Sequence, residues 1–331
     1  MAMNKKLLTG IFENSRDKKI IIIGDLMLDR YLFGDVTRIS PEAPVQVFDI
    51  RKSEFRLGGA ANVAYNIKTL GSEPFLIGIT GEDSESDLLK NSMQDLGIDT
   101  EGIIPEKDRP TTSKSRVISD SHHLLRIDSE SKDDISDNSQ TKILSLLSEH
   151  AEKDSIVILQ DYNKGVLTEN VIGKIISLCK KHNILSAVDP KRKNFFAYKG
   201  VDIFKPNFKE VKDGLNILTD SINLSVLKDM HLLLQDKLNH KISLITLSEK
   251  GVFYQQDNNA GILPTHIRSI ADVSGAGDTV IAVASVVFAA TGDAKLMAEV
   301  ANIAGGLVCE AVGTVAVEKS RLMDECKKLL T

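Results

Sequence analysis

The sequence predicts an α/β fold: a central, mainly parallel sheet with helices on both faces, plus a small β-sheet lid. Three observations carry the prediction. First, short β-branched or apolar runs recur, at Lys19–Gly24, Phe75–Ile79, Ser155–Leu159, Leu185–Val188, Ile203–Lys205 and Ser243–Leu247. Near-continuous apolar runs suit parallel strands buried on both faces. Second, helical patterns lie between several of them, at Asn62–Leu70, Ser84–Leu96, Glu169–His182 and Val226–Leu238. Strands alternating with helices cover a parallel sheet on both sides. Third, two segments break the rhythm, about 31–57 and about 109–128. The first holds Val45, Val47, Phe48 and Ile50 with two prolines. The second alternates through Thr112, Lys114, Arg116 and Ile118 and resumes at Leu125 and Ile127. Both read as exposed antiparallel strands that together form a lid over a site.

The first strand ends at Gly24-Asp25. Leu57-Gly58-Gly59-Ala60-Ala61-Asn62 then joins the lid to a helix. Its glycines let backbone approach a ligand, and Asn62 both donates and accepts hydrogen bonds, which suits sugar hydroxyls. A tight turn with an asparagine cap is the plainer alternative. Asp25 and Asp29 are carboxylates able to accept from two hydroxyls, although Asp29 equally suits a solvent-facing turn. Lys114 and Arg116 share a strand face, and Arg109 and Arg126 lie nearby. Phosphate on a substrate needs one or two such partners. His122 and His123 at a hairpin tip have no third ligand and read as surface residues.

Polar residues follow the later strands too: Gln160-Asp161-Tyr162, Asp189-Pro190-Lys191 and Lys205-Pro206-Asn207. Ligands in open parallel sheets sit beyond these carboxyl ends. Asn207 and Glu210, three apart, either orient water around Mg²⁺ or form a capping box. Thr246 to Gly251 is either a nucleotide contact or a hairpin turn, since Val252–Tyr254 reads as another strand.

The segment Ala271-Asp272-Val273-Ser274-Gly275-Ala276-Gly277-Asp278-Thr279 precedes a nearly unbroken apolar run, Val280–Ala290. It reads as a flexible turn opening into a buried helix. A helix N-terminus offers unpaired amides and a positive dipole end, and small residues let an anion come close. One segment thus combines a phosphate cradle with a base, Asp278, as phosphoryl transfer requires. Alone it is also compatible with an ordinary glycine turn.

Bulk properties narrow the field. The chain has 331 residues, 42% hydrophobic and 26% charged, with a net charge of −5. That is ordinary globular composition, with no general attraction to nucleic acid or membrane. Three widely spaced cysteines contain no CxxC pair, so neither a disulfide framework nor a zinc knuckle is indicated, and a cytoplasmic setting is expected. No run reaches the ~18 apolar residues of a membrane span. Leu7, Leu8, Ile11 and Phe12 read as one face of a short helix.

Gly58-Gly59-Ala60-Ala61-Asn62 and Asp272 to Asp278 together resemble the paired signatures of the ribokinase-like (PfkB) carbohydrate kinases, and the match spans nearly the whole chain. Within that family, several stretches resemble the heptose 7-phosphate kinases of ADP-heptose biosynthesis. They are Gly24 to Tyr31, Arg38 to Val45, Leu124 to Asp128, Asp161 to Gly165 and Val188 to Lys191. The resemblance implies one kinase domain over 1–331, without a nucleotidyltransferase domain. It makes Asp278 the catalytic base and Gly275, Ala276 and Gly277 the anion hole. It places Asp25, Gly59 and Asn62 on the sugar, with Asp29, Gly58, Arg116, Arg126, Asp161, Lys164, Asp189 and Lys191 as further substrate candidates. Asn207, Thr246, Ser248, Gly251 and Asn302 fall on the nucleotide side, and Asn207 with Glu210 on Mg²⁺. Two departures stand out: Ser274, where threonine is usual, and Gln160, where a small residue is expected. The implied reaction is ATP-dependent phosphorylation of a heptose 7-phosphate to the 1,7-bisphosphate, for ADP-heptose and lipopolysaccharide core synthesis. A kinase for another sugar, or a non-catalytic sensor on the same fold, is the alternative. Exposed lid edges that can pair between subunits suggest a homodimer.

Overall fold

The computed structural model describes residues 5–15, 18–120, 122–266 and 268–330. In chain order the elements are α1 (Lys5–Asn14), β1 (Ile20–Gly24), β2 (Leu26–Ile39), β3 (Gln46–Gly59), α2 (Ala60–Thr69), β4 (Pro74–Thr80), α3 (Ser84–Asp95), β5 (Ile103–Pro105), β6 (Ser113–Ser119), β7 (His122–Ser129) and α4 (Asp137–His150). There follow β8 (Ile156–Gln160), α5 (Glu169–His182), β9 (Leu185–Asp189), β10 (Ile203–Phe204), α6 (Phe208–Leu215), α7 (Leu224–Leu238), β11 (Ile242–Thr246), β12 (Val252–Gln256), β13 (Asn259–Leu263), α8 (Ala276–Thr291), α9 (Ala294–Val308) and α10 (Lys319–Leu329).

Nine strands form the main sheet in the order β13-β12-β11-β10-β9-β8-β1-β4-β5. The seven from β11 to β5 pair in parallel, and β12 and β13 close one edge antiparallel. The continuous apolar run of β1 is explained by burial on both faces. Ile20 and Ile22 pack into a core with α2, α8 and α9, whereas Ile21 and Ile23 pack into a second core with α4, α5 and α7. The helix expected near the N-terminus is α1. Its Ile11 and Phe12 are buried; the side chains of Leu7 and Leu8 lie outside the described residues.

The small sheet has the order β3-β2-β6-β7. Here the sequence-based expectation needs one correction. The pairs β2–β3 and β6–β7 are antiparallel, but β2 and β6 run parallel. The two hairpins meet through strands that both leave the body of the molecule, so their directions must agree. The lid strands also begin earlier and end later than 31–57: β2 starts at Leu26 and β3 reaches Gly59. Their roots are buried and their far halves exposed.

The chain leaves the main sheet at Asp25 and returns at Gly59. The amide of Ala60 donates to the Asp25 carbonyl at 2.9 Å, which stitches the two crossings together. Gly59 has φ 58°, and a Cβ there would lie 2.4 Å from that same carbonyl. Only glycine fits where the lid joins the core.

Candidate active site

The turn before α8 is held by Asp272. Its Oδ1 accepts from the Ser274 amide (2.9 Å) and hydroxyl (2.8 Å), and its Oδ2 from the Gly313 amide (2.9 Å). Serine therefore supplies the hydroxyl that this turn uses. Gly275 caps α8 with φ 78°, and a Cβ there would meet Asn62 Nδ2 at 2.7 Å. The first amides of α8 have no carbonyl one turn upstream and face outward along its axis. Among them, the Ala276 amide makes a 3.3 Å bond to Val273, which leaves those of Gly277 and Asp278 as the better anion donors.

Asp278 is 1% exposed. Its Oδ2 accepts from Asn62 Nδ2 at 2.8 Å. Its Oδ1 accepts from the Tyr162 hydroxyl at 2.7 Å and Gln160 Nε2 at 3.0 Å. Burial raises the Asp278 pKa to about 7, against the opposing pull of the Asn62 and Tyr162 hydrogen bonds. A carboxyl poised near neutrality suits a general base. Beside it, Gln160 Nε2 also reaches Asp189 Oδ2 at 3.4 Å, and Lys205 Nζ pairs with that oxygen at 2.9 Å. Burial pushes Asp189 up, but Lys191 and Lys205 outweigh it and hold the carboxyl below its usual range. A Cβ on Gly277 would sit 3.4 Å from Asp189 Oδ2 and 3.6 Å from Lys205 Nζ, so this ion pair underlies the anion-binding turn.

Asp25 lies fully buried at the root of the lid. Its carboxylate accepts from three backbone amides: Tyr162 (2.6 Å), Lys164 (3.1 Å) and Val166 (3.3 Å). Burial, then the charge of Asp161, lifts its pKa to about 6. Asp161 accepts from the Tyr198 hydroxyl at 2.7 Å and the Asn163 amide at 2.7 Å. Asp29 is buried on β2 rather than on a solvent-facing turn. It pairs with Arg116 at 2.5 Å and accepts from Thr314 at 3.4 Å. A Cβ on Gly58 would lie 2.7 Å from its Oδ2. Lys164 pairs with Glu130 at 2.7 Å, and Lys191 with Glu210 at 2.6 Å and Asp189 at 3.4 Å. Arg126 stands exposed on β7 and pairs with Asp128.

A cavity of about 480 Å³ opens beside the turn. Thr246, Ser248, Gly251, Gly277 and Asn302 line it together, with Val280 and Gly305 forming part of an apolar wall. The segment 246–251 is at once the hairpin turn into β12 and a cavity wall. Asn207 and Glu210 form a complete capping box. Glu210 N donates to Asn207 Oδ1 at 2.8 Å, and Asn207 N donates to Glu210 Oε2 at 2.7 Å. Both oxygens keep a lone pair, and the other Glu210 oxygen accepts from Lys191 at 2.6 Å; because Mg²⁺ keeps several of its waters, a role through metal-bound water fits these groups. Among the described residues, no group of three or more His, Cys, Asp or Glu side chains is placed to hold a metal ion.

Sequence reasoning did not assign Tyr162 or Gln160 to the base, nor Lys205 to its ion pair, nor Thr314 to Asp29. Strand order is the signal that would have found Lys205. Since β8, β9 and β10 are neighbours, Gln160 and Asp189, which end the first two, and Lys205, which follows the third, must be adjacent.

The model of the pfkB family carbohydrate kinases matches residues 17–321. The chain is 42% identical over 304 residues to the bifunctional protein HldE of Aliarcobacter butzleri, covering 91% of this chain and 62% of that protein. With the HldE of Geobacter sulfurreducens it shares 35% identity over 324 residues, 97% of this chain and 65% of the relative. The chain thus spans somewhat less than two thirds of these relatives. Phosphofructokinase-2 from Escherichia coli superposes with a TM-score of 0.78 at 16% identity, over 95% of this chain and 99% of that one. The ribokinase of Arabidopsis thaliana gives 0.71 at 17%, over 92% and 98%. At such identities the likeness carries the fold, which is ribokinase-like. No helix among the described residues is long and apolar enough to cross a membrane. With the family model covering both glycine signatures and the base between its donors, the chain belongs to the pfkB family of carbohydrate kinases.

Proposed function

We propose that this sugar kinase transfers the γ-phosphoryl group of ATP to the anomeric hydroxyl of a heptose 7-phosphate, giving the 1,7-bisphosphate for ADP-heptose and lipopolysaccharide core synthesis. The observation that carries the chemistry is Asp278, buried at the start of α8 with a cavity on one side and the polar cluster on the other. The substrate reading draws on the motif resemblance to heptose 7-phosphate kinases and on the similarity to HldE proteins.

ATP occupies the cavity lined by Thr246, Ser248, Gly251 and Asn302. The sugar lies under the lid near Asn62. Asp278 receives the proton of the attacking hydroxyl as its oxygen bonds to the γ-phosphorus. The amides of Gly277 and Asp278 stabilise the charge that gathers on the transferring group. Mg²⁺, when bound with ATP, neutralises phosphate charge, and Asn207 and Glu210 would hold it through water. The distal phosphate meets Arg116, Lys164 and Lys191. Each already has a carboxylate partner, so phosphate binding is an exchange of partners rather than the filling of an unpaired site. The lid carries exposed Ile39, Val45, Leu125 and Ile127, which supports a homodimer.

Two measurements test the reading. Asp278→Asn lowers kcat by several orders of magnitude with KM little changed; near-normal turnover removes Asp278 from the role of base. ADP release over a panel of sugars and sugar phosphates tests the substrate, and a preference for an unphosphorylated sugar overturns the heptose 7-phosphate assignment.

A further inference from the structure

The loop from Asp161 to Val166 does more than end a strand. Asn163 and Gly165 adopt positive φ (56° and 84°), and the Asp25 carboxylate gathers the amides of Tyr162, Lys164 and Val166 around itself. This fixes Tyr162 at one place. Its hydroxyl donates to Asp278 Oδ1, and its ring lies 3.6 Å from the Cβ position of Gly59, the return point of the lid. The Lys191 ammonium sits 5.5 Å from the ring centre.

An ionised carboxylate offers about four acceptor positions, two on each oxygen. On Asp278, Tyr162 and Gln160 both donate to Oδ1, and Asn62 donates to Oδ2. Oδ1 is therefore saturated and a single position remains, on Oδ2. Burial and then the charge of Asp278 raise the Tyr162 pKa well above the ordinary value, so the phenol stays a donor across the physiological range.

We propose that Tyr162 is a positioning residue that withholds Oδ1 of the catalytic base from water, so that Asp278 acts only on a hydroxyl delivered to Oδ2 by a bound sugar. The proposal rests on Asp278 being the base. The reaction it suppresses is ATP hydrolysis. There a water oxygen bonds to the γ-phosphorus, the bond from that phosphorus to the β–γ bridging oxygen breaks, the water proton passes to Asp278, and ADP and inorganic phosphate leave. Removing the phenol hydroxyl opens an acceptor position for that water while keeping the ring that packs against Gly59.

The test measures ADP release with ATP and Mg²⁺ alone, and again with the best acceptor from the sugar panel. Tyr162→Phe is expected to raise the sugar-free rate roughly tenfold, about the worth of one hydrogen bond to a charged group, while sugar-dependent turnover persists. Adding Asp278→Asn to Tyr162→Phe is expected to abolish the gain. A sugar-free rate that stays at the wild-type level in Tyr162→Phe overturns the proposal, as does a gain that survives Asp278→Asn. Should Tyr162→Phe fail to fold, Gln160→Leu removes the other donor to Oδ1 and carries the same expectation. Full sugar-dependent turnover in Asp278→Asn alone is a separate result, which overturns the role of the base itself.

Discussion

The turn around Asp278 and the region around Asp25, Asp29 and Lys191 handle charge in opposite ways. At the turn, one carboxylate is surrounded by neutral donors, and the anion site consists of backbone amides beside an open cavity. Elsewhere in the site, the charged side chains proposed above for the distal phosphate are each engaged with a carboxylate: Arg116 with Asp29, Lys164 with Glu130, and Lys191 with Glu210 and Asp189. The first arrangement is preorganised, because amides at a helix start need no rearrangement to meet an anion. The second must trade partners. On the proposed function, the phosphoryl-transfer end would serve any sugar, and selectivity would depend on how readily particular ion pairs open.

The sharpest way to break that contrast is to disturb the preorganised end with a single methyl group. Gly275→Ala places a Cβ where φ is 78° and where Asn62 Nδ2 stands 2.7 Å away. Asn62 must then move off Asp278. We expect kcat to fall roughly 10²-fold, comparable to removing one preorganised donor. Steady-state kinetics with a thermal melt separate this from unfolding. A kcat within twofold of wild type would mean the turn tolerates rearrangement and is not preorganised.

The two ends also differed in how far the sequence revealed them. The turn is local: glycines, an acid and an apolar run lie within some twenty residues, and periodicity alone indicates a buried helix. The parallel strands were readable for the same reason, since a run such as Ile20 to Ile23 advertises burial on both faces. The side chains gathered around both ends come from distant segments. Gln160 reaches Asp278 across 118 residues and Arg116 reaches Asp29 across 87. A lysine after a strand, such as Lys205, looks like a solvated surface residue until strand order places it on Asp189. Asp25 illustrates the converse. As a carboxylate after a strand it suggests a sugar contact, and the structure shows three of its about four acceptor positions taken by amides of the Tyr162 loop.

A smaller effect is expected where partners must be exchanged. Lys191→Ala removes a candidate for the distal phosphate but leaves Asp189 paired with Lys205. KM for the phosphorylated sugar should rise about tenfold, the lower end for a charge-assisted hydrogen bond, with kcat nearly kept. KM for the same sugar lacking the distal phosphate should not move. An equal rise for both sugars would assign Lys191 to the cluster around Asp189 and Glu210 instead.

The smallest effect separates the ends by pH. Burial raises the Asp278 pKa to about 7 and the Asp25 pKa to about 6, each from the ordinary aspartate value of 3.8. For activity, the base must be ionised, so kcat/KM should fall as pH drops through about 7. For stability the sign is reversed. A raised carboxyl pKa means the native state binds a proton that the unfolded chain has already released. The contribution is full below about 3.8 and is lost as pH rises through the folded value, with a slope of at most about 1.4 kcal/mol per pH unit for each group. The melting temperature should therefore decline between about pH 4 and pH 7. Asp25→Asn should flatten the lower part of that decline, below about pH 6, and Asp278→Asn should flatten it up to about pH 7. Identical profiles for the two variants would mean that the carboxyls titrate as one coupled unit, and the distinction between a preorganised end and an exchanging end would not extend to their protons.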